Sequence, residues 1–178
     1  MKSKFPILES ERVSLRQFVA SDLENVFKGL SHPDIIKYYG ISFDSIEATK
    51  EQMVWFADLE KNETGIWWAI YSKEDGRFLG AGGLNDMSME HKKAEIGFWL
   101  LPENWGNGLM TEAMPLILNH AFNSLGLHRI EGFVETKNVN CKKALAKLKF
   151  NWEGTMQDCE IKNGEFISLD IYSKIVGE

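Results

Sequence analysis

Pro102-Glu103-Asn104-Trp105-Gly106-Asn107-Gly108-Leu109-Met110-Thr111-Glu112-Ala113 lies between a strand-like run, Ala94 to Leu101, and an apolar helical run that ends near Leu125. Gly106 and Gly108 carry no side chain, so the backbone there can turn sharply and come close to a ligand. The first N–H groups of the helix that follows have no acceptor within it, and the helix dipole adds partial positive charge. A loop entering a helix in this way suits a phosphate or diphosphate. Gly-x-Gly alone is equally the mark of a plain turn. Two familiar phosphate loops are excluded. Gly106 to Thr111 ends in Thr where a dinucleotide fingerprint has Gly or Ala, and no Gly-Lys-Ser/Thr follows as in a P-loop.

Outward from this stretch, the 178-residue chain reads as one domain over 1–178 with room for a real core. Hydrophobic content of 44% and aromatic content of 12% exclude a disordered chain. No apolar run has the length of a membrane span, and Met1 to Pro6 lacks the apolar segment of a signal peptide. A net charge of −6 argues against nucleic acid as partner and suits a cationic substrate such as an amine. Cys141 and Cys159 are too few for a disulfide scaffold and show no metal-ligand spacing, so no metal and a reduced cytoplasmic setting are expected.

Val13 to Arg16 alternates as a short strand. Ser21 and Asp22 are placed to cap a helix through Val26 to Leu30, and a second short helix runs from Pro33 toward Tyr39. Ser45 opens a longer helix to about Leu59, with Met53, Phe56 and Ala57 at helical spacing. Ile66 to Tyr71 and Phe78 to Leu84 flank Asp75-Gly76, a hairpin signal. Gly80, Gly82 and Gly83 read as a bulged, closely packed strand in preference to a nucleotide loop. Lys93 to Leu101 is a third strand.

Met110, Met114, Ile117, Ala121 and Leu125 form one helical stripe, closed by Gly126. Pro115 interrupts it, lacking the N–H that would bond Thr111, so a kink or loosened turn is expected. Arg129 to Glu135 is a strand, Cys141 to Leu148 a short helix, and Phe166 to Ile175 one or two closing strands. The order implies a mixed sheet with helices on both faces, an α/β (α+β) fold.

Four fragments together resemble the GCN5-related N-acetyltransferases (GNAT), in particular the RimJ/RimL-like branch that acetylates N-termini of ribosomal proteins. They are Ala94 to Leu100, Trp105 to Ala113, Asn138 to Cys141 with Leu145 to Phe150, and Glu153-Gly154 with Asp170 to Ser173. Val13 to Arg16 is similar to the usual first strand. The resemblance implies a mostly antiparallel central sheet with splayed fourth and fifth strands. Three positions depart from the family pattern. Glu103 stands where Gln or Arg is usual, and its carboxylate is expected to point away from a bound diphosphate. Cys141 stands where Ser is common. Lys149 stands where Gly is usual, a change expected to be without consequence.

The resemblance implies acetyl-CoA as co-substrate. Asn104, Trp105, Gly106, Asn107, Gly108, Leu109, Met110 and Thr111 would hold its diphosphate, and Phe98, Trp99, Leu100 and Leu101 would bond its pantetheine arm through the backbone. A backbone N–H near Trp99 or Leu100 would serve the developing oxyanion. Asn138 would contact the pantetheine, or close a turn, or both. Glu95 is the lone carboxylate of its strand. It is either a general base, acting through water, or a strand-start Glu pairing with Lys92, Lys93 or solvent. Cys141, at a predicted helix start where the dipole lowers a thiol's pKa, has three readings: proton donor to the departing thiolate, filler beside the coenzyme, or acyl carrier.

Tyr38, Tyr39, Trp67, Trp68, Trp99 and Trp105 are more often core or coenzyme neighbours than an acceptor cleft. His91, His120 and His128 show no ligand spacing. Glu112 pairs with a cation near the coenzyme or simply favours the helix dipole.

The expected activity is acetyl transfer to a primary amine by direct attack in a ternary complex, with a protein N-terminal α-amine as acceptor. A small amine, amino acid or antibiotic acceptor, a non-catalytic acyl-CoA sensor and a nucleotide-binding fold are the rivals. The family's frequent dimers leave a homodimer open. No membrane or nucleic-acid partner is expected.

Overall fold

The computed structural model describes residues 5–177. Their strands form one sheet in the order β1-β2-β3-β4-β5-β6-β8-β7. These are β1 (Leu8–Glu9), β2 (Val13–Arg16), β3 (Ile66–Ser72), β4 (Phe78–Ser88), β5 (Lys93–Leu100), β6 (Arg129–Glu135), β7 (Asn151–Lys162) and β8 (Glu165–Ile175). Every neighbouring pair is antiparallel except β5 and β6. Parallel pairing needs a crossover, and α4 (Leu109–Asn119) supplies it.

Helices α1 (Leu23–Leu30), α2 (Pro33–Ile36) and α3 (Ile46–Asn62) cover one face, where Val26, Leu30, Ile35, Phe56 and Leu59 pack with Trp67 and Trp99. On the other face lie α4 and α5 (Val139–Lys147), with Met114, Ile117 and Leu145 against Trp68, Ile70 and Ile96. Period-two alternation therefore splits β3 between two cores, Trp67 and Ala69 to one, Trp68 and Ile70 to the other. Among the described residues no helix is long and apolar enough to cross a membrane.

The glycines of β4 are packing glycines. A Cβ on Gly80 would lie 2.2 Å from the Trp99 carbonyl oxygen, and one on Gly83 would meet the Trp67 ring at 2.4 Å. An extra residue in β4 between Phe78 and Gly80 makes the expected bulge. The hairpin turn closes on Gly76 at φ +71.

Several local expectations need correction. Asp22 stands at the start of α1 without capping it. Its carboxylate is taken by the Val19 N–H at 2.8 Å and the Arg16 guanidinium at 3.2 Å, and the Tyr71 hydroxyl also donates to it. Ala57 faces solvent; the buried side of α3 is Thr49, Gln52, Phe56 and Leu59, where the Thr49 hydroxyl is satisfied by the Ser45 carbonyl at 2.8 Å. Helix α4 runs on through Pro115, and the loosened turn lies further along, as a π-helical segment His120–Ser124.

Strand β7 escaped sequence reading because its ladder with β8 shifts twice, at Trp152/Gly154 and Met156/Glu160, breaking the alternation. Helix α5 begins two residues before Cys141, capped by Asn138. Lys149 is not inert either: its φ of +60 lies in the left-handed region that glycine favours.

Three substitutions test this packing and backbone geometry. Gly80→Ala should cost about 2–3 kcal/mol in urea denaturation, whereas Gly40→Ala, with nothing within 4 Å of the new Cβ, should stay within about 0.5 kcal/mol of wild type. Lys149→Gly should raise stability by about 0.5–1 kcal/mol, because relief of the left-handed strain outweighs glycine's added chain entropy.

Candidate active site

Strands β5 and β6 pair only at Lys93↔Arg129, Ala94↔Ile130 and Glu95↔Glu131. Beyond Glu95, β5 stays with β4 as far as Gly80↔Leu100, while β6 stays with β8 as far as Glu135↔Leu169. The two strands part, and the edge of β5 facing the gap has no sheet partner. A cavity of about 260 Å³ fills the opening. Ile96, Gly97 and Phe98 form one wall and Gly132, Phe133 and Val134 the other. Asn138 and Cys141 enter from α5, and Tyr38, Tyr39, Trp55 and Trp67 from the opposite face.

Glu95 stands where the strands separate. It is half-buried, and burial pushes its carboxyl up to about 7, helped by the nearby carboxylates of Asp86, Glu131 and Glu160. Asp86 reaches this position from an irregular stretch of β4, with φ +48. Lys93, one of the cations considered for Glu95, pairs with Glu131 at 3.1 Å. Tyr39 is half-buried nearby, and its phenol is raised first by desolvation and then by Glu95.

The thiol of Cys141 reverses the expectation drawn from its helix position. Burial pushes it up to about 12, opposite in direction to the lowering expected at a helix start. The Asn138 side-chain oxygen accepts the Cys141 backbone N–H at 3.1 Å, so Asn138 caps α5 while lining the cavity.

The glycine loop follows β5 directly. A 3-10 turn, Pro102–Asn104, is anchored by Asn104, whose buried amide donates to the Leu79 carbonyl at 3.2 Å. The Trp105 indole N–H donates to the Leu100 carbonyl at 2.8 Å. The side-chain N–H groups of Asn104 and Trp105 are thus spent on the protein, while the buried Asn104 Oδ1 has no partner, and the exposed part of the loop offers mainly backbone. Gly106 and Gly108 have φ +78 and +74, which explains glycine at both, and Gly108 is the N-cap of α4. Residues 105–108 are exposed. Leu109, Met110 and Thr111 open the helix with N–H groups that lack intrahelical acceptors. Glu103 turns away as expected, to Lys28 at 2.6 Å, which holds its carboxyl below the usual range. Glu112 pairs with Arg12.

The structure therefore gathers Glu95, Phe98, Asn138 and Cys141 in one cavity, with the glycine loop outside it at the end of β5. Trp99, Leu100 and Leu101 are buried and lie outside the cavity lining, and Leu101, expected to bond the pantetheine, follows the end of β5 with its backbone N–H given to the Leu79 carbonyl at 2.9 Å. Of the aromatic set, Tyr38, Tyr39 and Trp67 line the cavity; Trp68 and Trp99 are core, and Trp105 lies on the surface. His120 packs edge-on against Trp68, its pKa lowered by burial. Sequence reading missed Trp55, Asn85, Asp86 and Arg12, none of which carries a spacing signal. Among the described residues no cluster of His, Cys, Asp and Glu is arranged to hold a metal ion.

Residues 12–151 match the family described as "Acetyltransferase (GNAT) domain". The uncharacterized N-acetyltransferase YoaA of Bacillus subtilis (strain 168) is 34% identical over 170 residues, 95% of this chain and 96% of the relative. Among solved structures, RimL, a ribosomal L7/L12 alpha-N-protein acetyltransferase in complex with coenzyme A, superposes with a TM-score of 0.86 at 19% identity, over 96% of this chain and 98% of that one. A spermidine N-acetyltransferase from Vibrio cholerae, in complex with coenzyme A and spermine, gives 0.83 at 18% identity, over 93% and 96%. Those two likenesses establish the fold. The family match over most of the chain, with the near full-length YoaA alignment, establishes membership: this chain belongs to the GNAT acetyltransferases.

Proposed function

We propose that this acetyltransferase moves the acetyl group of acetyl-CoA onto a primary amine held between β5 and β6, with a protein N-terminal α-amine as acceptor. The observation that carries the reading is Glu95, a carboxyl with a pKa near 7 at the point where the strands part. Such a group can accept a proton from an ammonium near neutral pH, directly or through water. The co-substrate supplies the acyl group as a thioester. Backbone N–H groups from Gly106 to Thr111 bind its diphosphate. The free edge of β5 along Phe98 to Leu100 bonds the pantetheine arm, and an N–H near Trp99 or Leu100 serves the oxyanion.

Asn138 orients Cys141 by capping α5 and faces the same cavity. A thiol pushed up to about 12 stays protonated at neutral pH. That disfavours an acyl-cysteine and also makes Cys141 a weaker acid than an ordinary thiol at about 8.5, so it favours packing beside the coenzyme over proton donation and supports direct attack in a ternary complex. RimL acts on a protein α-amine, and the fold it shares with this chain supports that acceptor. A second reading, a small polyamine, is supported by the carboxylates of Asp86 and Glu160 around Glu95 and by the spermidine enzyme of the same fold. Thiol release from acetyl-CoA in the presence of amines separates either reading from a silent acyl-CoA sensor. Single-acetyl mass shifts on N-terminal peptides against polyamines separate the two acceptors.

Activity at subsaturating substrate should rise with pH through about 7 as Glu95 loses its proton. Glu95→Gln should lower kcat/KM about 100-fold at pH 7.5 and remove that inflection; an unaltered pH profile would take Glu95 out of the mechanism. Stability gives the complementary sign. The folded carboxyl keeps a proton that the unfolded chain releases near 4.5, so ionising Glu95 costs stability as pH rises from that value to about 7. Glu95→Gln should therefore raise Tm more at pH 8 than at pH 4.

Iodoacetamide at pH 7.5 should modify the exposed Cys159 well before Cys141. Preferential labelling of Cys141 would revive the acyl-carrier role.

A further inference from the structure

The loop that reads as a diphosphate site has a carboxylate, Glu112, in the first turn of its helix. A bare carboxylate there would repel the anion that the helix N–H groups attract. No compensating cation comes from the loop itself, since residues 102–111 contain no Lys or Arg and Lys28 is paired with Glu103.

The compensation comes from 95 or more residues away in sequence, at the turn between β1 and β2. Arg12 sets its Nε 2.6 Å and its Nη2 2.5 Å from one Glu112 carboxylate oxygen, Oε2. The Arg12 backbone N–H donates to the other, Oε1, at 3.0 Å, and the Ser10 hydroxyl donates to it at 2.5 Å. The remaining guanidinium nitrogen, Nη1, donates to the Asn107 carbonyl at 3.0 Å. Ser10 and Arg12 together hold Glu112 below the usual carboxylate range. One guanidinium thus neutralises the first-turn carboxylate and engages the carbonyl between the two loop glycines. That carbonyl faces Arg12, and the Gly108 carbonyl is occupied by the Thr111 hydroxyl at 2.9 Å and the Glu112 N–H at 3.1 Å.

We propose that Arg12 is a positioning residue for the coenzyme loop: tied to Asn107 and Glu112, it holds the backbone N–H groups of residues 106–111 toward the diphosphate and cancels the one carboxylate beside it. The proposal rests on the assignment of this loop to the diphosphate. Arg12 is half-exposed, its side chain 49% accessible, so its ion pair adds little to folding stability and its effect falls on coenzyme recognition.

The test compares two acyl donors, acetyl-CoA and acetyl-pantetheine, which lacks the diphosphate. In Arg12→Gln, KM for acetyl-CoA should rise about 10-fold with kcat changed much less, the loss expected for charge-assisted hydrogen bonds. The loss in kcat/KM should be at least about fivefold larger with acetyl-CoA than with acetyl-pantetheine. Glu112→Gln added to Arg12→Gln should recover part of the acetyl-CoA loss by removing the uncompensated charge. Arg12→Lys keeps the charge without the fork and should show a smaller, still donor-selective loss, which keeps the test open if the Gln variant folds poorly. Equal losses with both donors, or none with either, would overturn the positioning role while leaving the loop assignment intact. A wild-type enzyme equally efficient with both donors would overturn the loop assignment and the positioning role together.

Discussion

Everything functional in this chain depends on three residue pairs. Parallel pairing between β5 and β6 begins at Lys93↔Arg129 and stops at Glu95↔Glu131. Each strand is held more extensively by an antiparallel partner on its other side, β4 for β5 and β8 for β6. The sheet is in effect two antiparallel halves, twisted right-handedly like any sheet and joined along a short seam. Past the seam the halves separate and leave one backbone edge unpaired. An unpaired edge ordinarily invites another strand. Here it faces the gap between the strands, where an extended ligand can take the place of the missing strand.

The seam also sets the electrostatics. Glu95 is the last residue to be paired, so its carboxyl emerges at the mouth of the gap, partly desolvated and among other carboxylates. Glu131, its partner across the seam, is pinned by Lys93 and Arg129 and held below the usual carboxylate range despite its burial. Two glutamates in register thus differ in protonation because one has cations and the other has aromatic walls and like charge. Such a division is the usual route to an acid or base working near neutral pH.

Rigid packing behind the gap keeps the geometry fixed. Trp67 lies against Gly83 and Gly97, and Trp99 occupies the room left by Gly29 of α1. Indole faces laid on bare backbone draw the helices close to β4 and β5 without distorting them. Behind the glycine loop, Asn104 and Trp105 tie the chain to Leu79 and Leu100, so the loop starts from a fixed point on the sheet. The result is a firm scaffold carrying an exposed loop, an arrangement that lets backbone N–H groups converge on a ligand with little reorganisation.

What the amino-acid sequence determined by itself is local. The glycine pair, the helix after it, the Asp75-Gly76 hairpin, the Ser45 cap and the alternation of β5 all follow from dihedral freedom and side-chain period, properties of neighbouring residues. The family resemblance extended that to the parted strands and to Glu95 and Asn138. Tertiary structure alone decided what depends on distance through space. It raised the Cys141 thiol by burial, against the lowering that a helix start had led one to expect. It raised Glu95 first by burying it and then by bringing Asp86, Glu131 and Glu160 from other strands. It placed Arg12 against Asn107 and Glu112, a contact with no spacing to read. It hid β7, whose two register shifts follow its partner and not its own alternation. Charge state and long-range contact are set by solvent exclusion and by the folding of distant segments onto one another, and neither is encoded in any single stretch of the chain.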